Sequence, residues 1–431
     1  MKTQSCLSLL IDSASRGAIW FCALLLCPFI ARTADWPQWR GPLRDGHAAQ
    51  GAPMPDSLPA EPKVVWRLNI GGGFSSPVLA GGKLIYLDAQ NRKEVAHCLE
   101  ASSGKEFWNV PLADVYEDEW GQGPRSTPII DGDRVYVQSC NGEFRCLSLA
   151  DGHVVWGKSF ERDFGVKFLG SRSDHGVAAR RGNNGCGAIE GERLVVPVGS
   201  DHGATLVCFN KLDGKELWRV GDDEAAYSSV MMATLAGVRQ VVFFSATGLM
   251  GVDLSTGKML WRLPIRTDAE RHAATPVIFN DTVAVNSHTI GLCCFKISKT
   301  GAGLTAAELW VDNKDKINVA TPVLVDHYLY TQGAARDYLC VDALTGKVQW
   351  RQDGFGENYA ATIALGKNLL VQSDRGDLVL IAADPSHYTE RARVQVCGKT
   401  WSHPAYADGK LYVREGLTQG WKLKCFELLP P

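Results

Sequence analysis

From Lys63 onward the chain repeats one pattern, in which short apolar or alternating runs are each closed by a polar, glycine-bearing turn. Runs of this length with a period of two read as β-strands, and Asp-Gly or Asn-Gly pairs between them read as hairpin turns, because positive φ at the turn matches strand twist. The segment TPIIDGDRVYVQSCNGEFRCLSLADGHVVW, Thr127 to Trp156, holds one whole unit, with turns at Asp131, Asn141 and Asp151. It predicts four short antiparallel strands.

The unit recurs along the chain. CLEASSGKEFW, ending at Trp108, returns as CLSLADGHVVW at Trp156, CFNKLDGKELW at Trp218, GVDLSTGKMLW at Trp261 and CVDALTGKVQW at Trp350, with a longer variant closing at Trp310. Counting from Trp66 in KVVWRLNI, successive Trp residues stand 42, 48, 62, 43, 49 and 40 residues apart. That period belongs to four-stranded propeller blades. Units begin near Ser76, Thr127, Gly187, Ser229, Thr275, Thr321, Ala361 and His403. A blade cannot bury both faces alone, so neighbours must stack radially. The expected fold is all-β, an eight-bladed β-propeller of four-stranded antiparallel blades forming one domain over residues 35–431. The seventh unit ends in RARVQV, where Val394 or Val396 stands in the Trp position, and the eighth runs out without a Trp strand. The segment 63–70 is expected to supply that outer strand, closing the ring and removing two exposed sheet edges.

The turn-plus-Trp segment, in a repeat with seven Trp-bearing copies, resembles the tryptophan-docking repeat of pyrroloquinoline-quinone (PQQ) type propellers across almost the whole chain. The opening WPQWRGPLRDG, Trp36 to Gly46, resembles the start of PQQ-like repeat proteins of planctomycete and verrucomicrobial bacteria. The resemblance implies structural docking roles for Trp66, Trp108, Trp156, Trp218, Trp261, Trp310 and Trp350, and a relation to the BamB-like propeller subunit of the outer-membrane β-barrel assembly machine. In its dehydrogenase branch it implies PQQ held with calcium by Glu, Asn and Asp near the channel. Glu357, Asn358, Asn183 and Asp174 are the candidates here, and no motif fixes them. No cofactor, metal site or catalytic residue is assigned.

Composition narrows the setting. Apolar content of 45% and charged content of 21% are those of a globular protein, and a formal charge of −2 gives no footprint for nucleic acid. Lys2 and Arg16 precede the apolar run from Ala18 to Ala31, a length that suits a signal peptide better than a membrane span. Residues 1–34 are expected to be a leader, with an uncleaved anchor as the alternative, because Arg32 or Phe29 would occupy a cleavage position that prefers a small residue. The mature chain is expected to be a monomer without a membrane span, exported to the periplasm or cell envelope.

Thirteen Cys in an exported chain invite a disulfide framework. Position argues otherwise. Cys98, Cys146, Cys208 and Cys340 each precede a blade Trp by ten residues, and Cys425 and one of Cys293 and Cys294 fit the same slot. Equivalent positions in different blades stand beyond bridging distance, so these read as small buried hydrophobes, leaving Cys140, Cys186 and Cys397 as the residues any bridge would involve. PQQ-dependent alcohol dehydrogenases carry a vicinal disulfide against the cofactor, whereas the Cys293–Cys294 pair lies mid-strand, where the distortion of such a bridge would be resisted.

Segments leading into each blade's first strand should converge on the mouth of the central channel. The candidate ligand residues there are Arg125, Asn184, Tyr227, His272, Asn318, Asn358, Trp401 and His403. Convergent polar and aromatic groups around a concavity make a small-molecule site; the same groups also suit exposed turns and channel waters. The longest insertion, Asp163 to Gly185, carries Arg172, Asp174, His175, Arg180 and Arg181 and is expected to overhang the same mouth, where cationic groups suit an anionic ligand. Two readings follow. One is a non-catalytic scaffold binding an envelope protein or a small molecule; the other is a PQQ- and calcium-dependent dehydrogenase oxidising alcohols or sugars.

Overall fold

The computed structural model, which describes residues 34–166, 182–267 and 270–429, is an eight-bladed β-propeller of four-stranded antiparallel sheets. Blades 1 to 7 span residues 78–114, 129–159, 188–220, 231–264, 277–312, 323–353 and 360–395. Blade 8 takes three strands from the C-terminus, Ala405–Ala407, Lys410–Glu415 and Lys422–Glu427, and its fourth from Lys63–Asn69. The ring is thus closed by the N-terminal strand, in register: Trp66 stands opposite Cys425 as Trp108 stands opposite Cys98 and Trp156 opposite Cys146.

A one-residue bulge follows that pair in every blade, and it explains why the residue before each Trp escapes the ladder. Phe107, for example, is skipped between Cys98–Trp108 and Leu99–Glu106. A bulge adds local twist and re-aims the next side chain. The indole then reaches the neighbouring blade, where Nε1 donates to a turn carbonyl: Trp66 to Ala101 (2.9 Å), Trp108 to Leu149 (3.2 Å), Trp156 to Lys211 (3.0 Å), Trp218 to Leu254 (3.1 Å), Trp310 to Ala343 (2.9 Å) and Trp350 to Asp384 (2.8 Å). In all of these but Trp350, which meets Tyr388 instead, the ring lies against the turn glycine of that blade. At Gly214, with φ of 71°, a Cβ would come within 2.6 Å of Trp156, so both conformation and contact demand glycine.

Two blades depart from the pattern. Trp261 instead bonds Gln240 Oε1 of its own blade at 2.5 Å, because blade 5 answers with a long hairpin, Gly291–Thr300 and Gly303–Asp312, in place of a short glycine turn. Gly251, where six of the other blades carry Cys, makes room for the returned ring: a Cβ there would lie 2.0 Å from the indole nitrogen. In blade 7 the residue opposite Leu380 before the bulge is Ala392, not Val394 or Val396. With no glycine turn to set the register, the two valines, both buried, imitate the missing Trp two and four residues late.

A second link between blades is invisible in the repeat motif. Amides at the ends of second strands donate to backbone carbonyls leading into the next blade: Gln138 to Gly185 (3.3 Å), Asn286 to Ala320 (2.9 Å), Gln332 to Phe355 (3.1 Å) and Gln372 to Ser402 (3.4 Å). Arg414 does the same from blade 8, reaching Ser75 (3.3 Å) and Gly71 (3.0 Å).

The described cysteines are free and buried, seven in strands and Cys140, Cys186 and Cys397 in the connections between them. Adjacent Cys293 and Cys294 point to opposite faces, one packing with Trp261 and the other with Trp310, as strand alternation requires. Burial pushes their thiols up to about 12 and about 11, which suits inert core residues. No helix among the described residues is long and apolar enough to cross a membrane. The apolar run 18–31 and the insertion residues 167–181 lie outside the described residues.

Candidate functional site

The site is built on the N-terminal segment as much as on the blades. Between Ala34 and Ala48 the chain touches the lead-in or innermost strand of every blade. It bonds Asp408 of blade 8 through the Ala34 amide (2.7 Å). Trp36 exchanges two backbone bonds with Leu79 of blade 1, and the Pro37 carbonyl accepts from Ile130 of blade 2 (2.8 Å). Arg44 donates to Cys186, before blade 3 (3.4 Å), and to Val230, before blade 4 (2.9 Å). Trp39 Nε1 donates to Thr275 before blade 5 (2.9 Å), Arg40 to Pro322 before blade 6 (2.6 Å), and the Ala48 amide to Ala364 in blade 7 (3.0 Å).

This strap closes the central channel at one end. Arg40 and Arg44 are buried and take left-handed backbone, φ 59° and 64°, a conformation non-glycine residues hold only when their surroundings over-determine it. Burial lowers both guanidiniums to about 10, still charged at neutral pH, and the backbone carbonyls solvate that charge.

Above the strap lies a bowl of about 300 Å³, at the small end of the range for ligand sites. All eight blades contribute through the segments before their first strands. One side is aromatic: Phe74 stacks on Trp401 (6.0 Å, 30°), and Trp120, on the hairpin Glu117–Asp118 and Gly121–Gln122, leans on Trp401 (5.8 Å, 45°). The floor contributes Trp39. Arg125 lies over Phe74 and Tyr116, 5.5 and 5.1 Å from their centroids, and is bonded to Asp118 (2.6 Å), which neutralises it. The facing side carries Asn184, Tyr227, Arg271, Asn318, Asn358 and Tyr359. Of these, Asn184 Oδ1, Asn318 Oδ1 and Arg271 Nε are buried and have no hydrogen-bond partner among the described residues.

Six of the eight channel-mouth residues expected from sequence therefore line one bowl: Arg125, Asn184, Tyr227, Asn318, Asn358 and Trp401. His272 and His403 do not. His272 is turned into blade 4, stacked on Phe244 (3.9 Å) and bonded to the Ser245 carbonyl (2.6 Å), because its neighbour Arg271 takes the channel-facing direction. His403 is packed below the floor against Trp36 and Trp39. Burial holds both imidazoles down to about 4, so both are neutral packing groups. Arg172, Asp174, His175, Arg180 and Arg181 lie outside the described residues. Trp39 and Trp120 escaped the sequence reading because neither sits in a repeat unit; the pair of Trp in WPQWRG was the available signal for the first.

The calcium and quinone candidates do not come together. Glu357 points outward and pairs with Arg375 (2.6 Å), and Asn183 is buried behind the wall. No Asp or Glu lines the bowl among the described residues, and no group of three or more His, Cys, Asp or Glu there could hold a metal ion. Calcium prefers several carboxylate oxygens, and proton abstraction from an alcohol needs a base at the substrate. The described wall offers neither.

Eight four-stranded repeats, seven of them with tryptophan in the fourth strand, define a PQQ-like β-propeller. The chain belongs to the family described as outer membrane protein assembly factor BamB, whose profile matches residues 59–174 and 180–352. Among solved structures it is similar to BamB from Moraxella catarrhalis, with 13% identity and a TM-score of 0.54 over 85% of this chain and 98% of that one. It is also similar to a quinohemoprotein alcohol dehydrogenase from Pseudomonas putida HK5, with 11% identity and a TM-score of 0.57 over 92% and 80%, and to the computationally designed Ika8 protein, at 9% and 0.57 over 86% and 98%. At these identities the likeness is one of fold. No curated protein matches the chain significantly.

Proposed function

We propose that the protein is an exported, monomeric, non-catalytic binding propeller of the cell envelope, with residues 1–34 as leader and 35–431 as one domain, and that its bowl captures a small molecule. The observation carrying this reading is the blind bowl, in which three buried polar atoms from three different blades lack partners among the described residues. Leaving such atoms unsatisfied costs about 1–3 kcal/mol each, a cost a ligand can offset. Membership of a family described as an outer membrane assembly factor supports an envelope protein as a second partner. Likeness of fold to a quinohemoprotein dehydrogenase is outweighed by a wall that carries no carboxylate among the described residues.

The test is to incubate the purified protein with PQQ and calcium and follow absorbance and dye-linked oxidation of alcohols and sugars. The reading expects no turnover. Saturable cofactor binding accompanied by turnover overturns it.

A further inference from the structure

If the bowl is a binding site, as proposed above, its unsatisfied atoms and its charge specify the occupant. Asn184 Oδ1, before blade 3, and Asn318 Oδ1, before blade 6, are buried acceptors without donors among the described residues. A ligand hydroxyl serves an amide in either of its two orientations, because a hydroxyl both donates and accepts. A ligand of bare aromatic or aliphatic carbon serves neither.

The charge on the wall is equally specific. Arg125 is spent on Asp118, whereas no hydrogen bond or ion pair engages Arg271 among the described residues, and its Nε is buried and unpartnered. With no Asp or Glu on that wall among the described residues, no described carboxylate compensates that positive charge. A single guanidinium suits one carboxylate; a phosphate, carrying nearly two charges, would want a second cation. The remaining wall is the aromatic face of Trp39, Phe74 and Trp401, which offers apolar surface to the C–H face of a ring. The strap beneath makes the site blind, so a polymer can enter only by its end.

We propose that the bowl binds an acidic saccharide of the uronic-acid type. Its carboxylate lies on Arg271, its hydroxyls on Asn184 and Asn318, and one ring face lies against Trp401. The occupant is either the free monosaccharide or the terminal residue of an oligosaccharide.

Intrinsic tryptophan fluorescence reads this directly, since three Trp residues line the wall. The full chain is titrated with glucuronate, galacturonate and digalacturonate, with glucose as the neutral counterpart and benzoate as an anion lacking hydroxyls. Saturable responses to the uronates are expected, with glucose weaker by about tenfold for the lost charge-assisted bond. Arg271→Met should bring glucuronate and glucose to equal affinity, and Trp401→Ala should lose both responses, with unfolding midpoints confirming that each variant is folded. Tighter binding of digalacturonate than galacturonate identifies a chain end as the source, and equal binding identifies the monosaccharide. Benzoate saturating the wild type where glucuronate does not overturns the saccharide class while keeping the bowl as a binding site. Glucuronate binding that survives both substitutions unchanged places the ligand elsewhere and overturns the bowl itself. Absence of any response to the uronates up to about 10 mM overturns the proposal.

Discussion

The two ends of the central channel use the same residue types to opposite effect. At the strap, Trp36, Trp39, Arg40 and Arg44 face inward, and both arginines are bonded to backbone carbonyls of neighbouring blades. In the bowl, Trp401, Arg271, Asn184 and Asn318 also face inward, yet three of their polar atoms have no partner among the described residues. The difference teaches that polar and aromatic composition around a channel does not mark a site. What separates the strap from the bowl is that the strap's arginines are bonded within the chain, whereas Asn184, Asn318 and Arg271 each leave an atom without a described partner.

The comparison breaks most readily at Trp36, which is 1% exposed. Trp36→Leu should cost about 3 kcal/mol, as large-to-small changes in a packed core do, whereas Trp401→Ala, at a half-buried position on the bowl, should cost less. Denaturant unfolding of the two variants measures both, and equal costs would erase the distinction between strap and bowl.

Acid should weaken the fold through the two histidines that turned out to be packing groups. Their folded pKa values, about 4, lie below the ordinary value near 6.5, so as pH falls the unfolded chain takes up protons first. The stability contributed by the neutral rings is complete above about pH 6.5 and is lost as pH falls towards 4, by up to about 3 kcal/mol per histidine. Unfolding midpoints at pH 7 and pH 4.5 should differ accordingly, and His403→Phe should narrow that gap.

A smaller effect is expected at Arg44. Losing two bonds to buried carbonyls is destabilising, but removing a guanidinium whose burial is itself costly works the other way. Arg44→Met should therefore cost only about 1 kcal/mol. Smallest of all is Asn318→Leu, within about 0.5 kcal/mol of wild type, because its amide oxygen has no described partner to lose. A large loss there would assign Asn318 to the scaffold.

How much was legible depended on periodicity. Trp66 was readable as the closing strand because it kept the repeat's register with Cys425, and six wall residues were readable because each occupies the same place before a first strand. His272 was misplaced because the repeat locates a segment but not which of two adjacent side chains faces inward. The Trp slot of blade 7 was read at Val394 or Val396 because, once the glycine turn is lost, hydrophobicity alone does not set register; the ladder puts Ala392 there. The strap was missed altogether. Its contacts are arginine and backbone bonds to residues hundreds of positions away, such as Arg40 to Pro322, which no local pattern encodes.

One experiment reads both ends of the channel together: denaturant unfolding of wild type, Trp36→Leu and Arg271→Met, each with and without saturating glucuronate. A ligand that binds only the folded state adds stability in proportion to its occupancy. The account predicts that Trp36→Leu is less stable than wild type yet gains as much from the ligand, while Arg271→Met matches wild type alone and gains little. Equal ligand gains in wild type and Arg271→Met, or a folded Trp36→Leu that gains nothing, would contradict it.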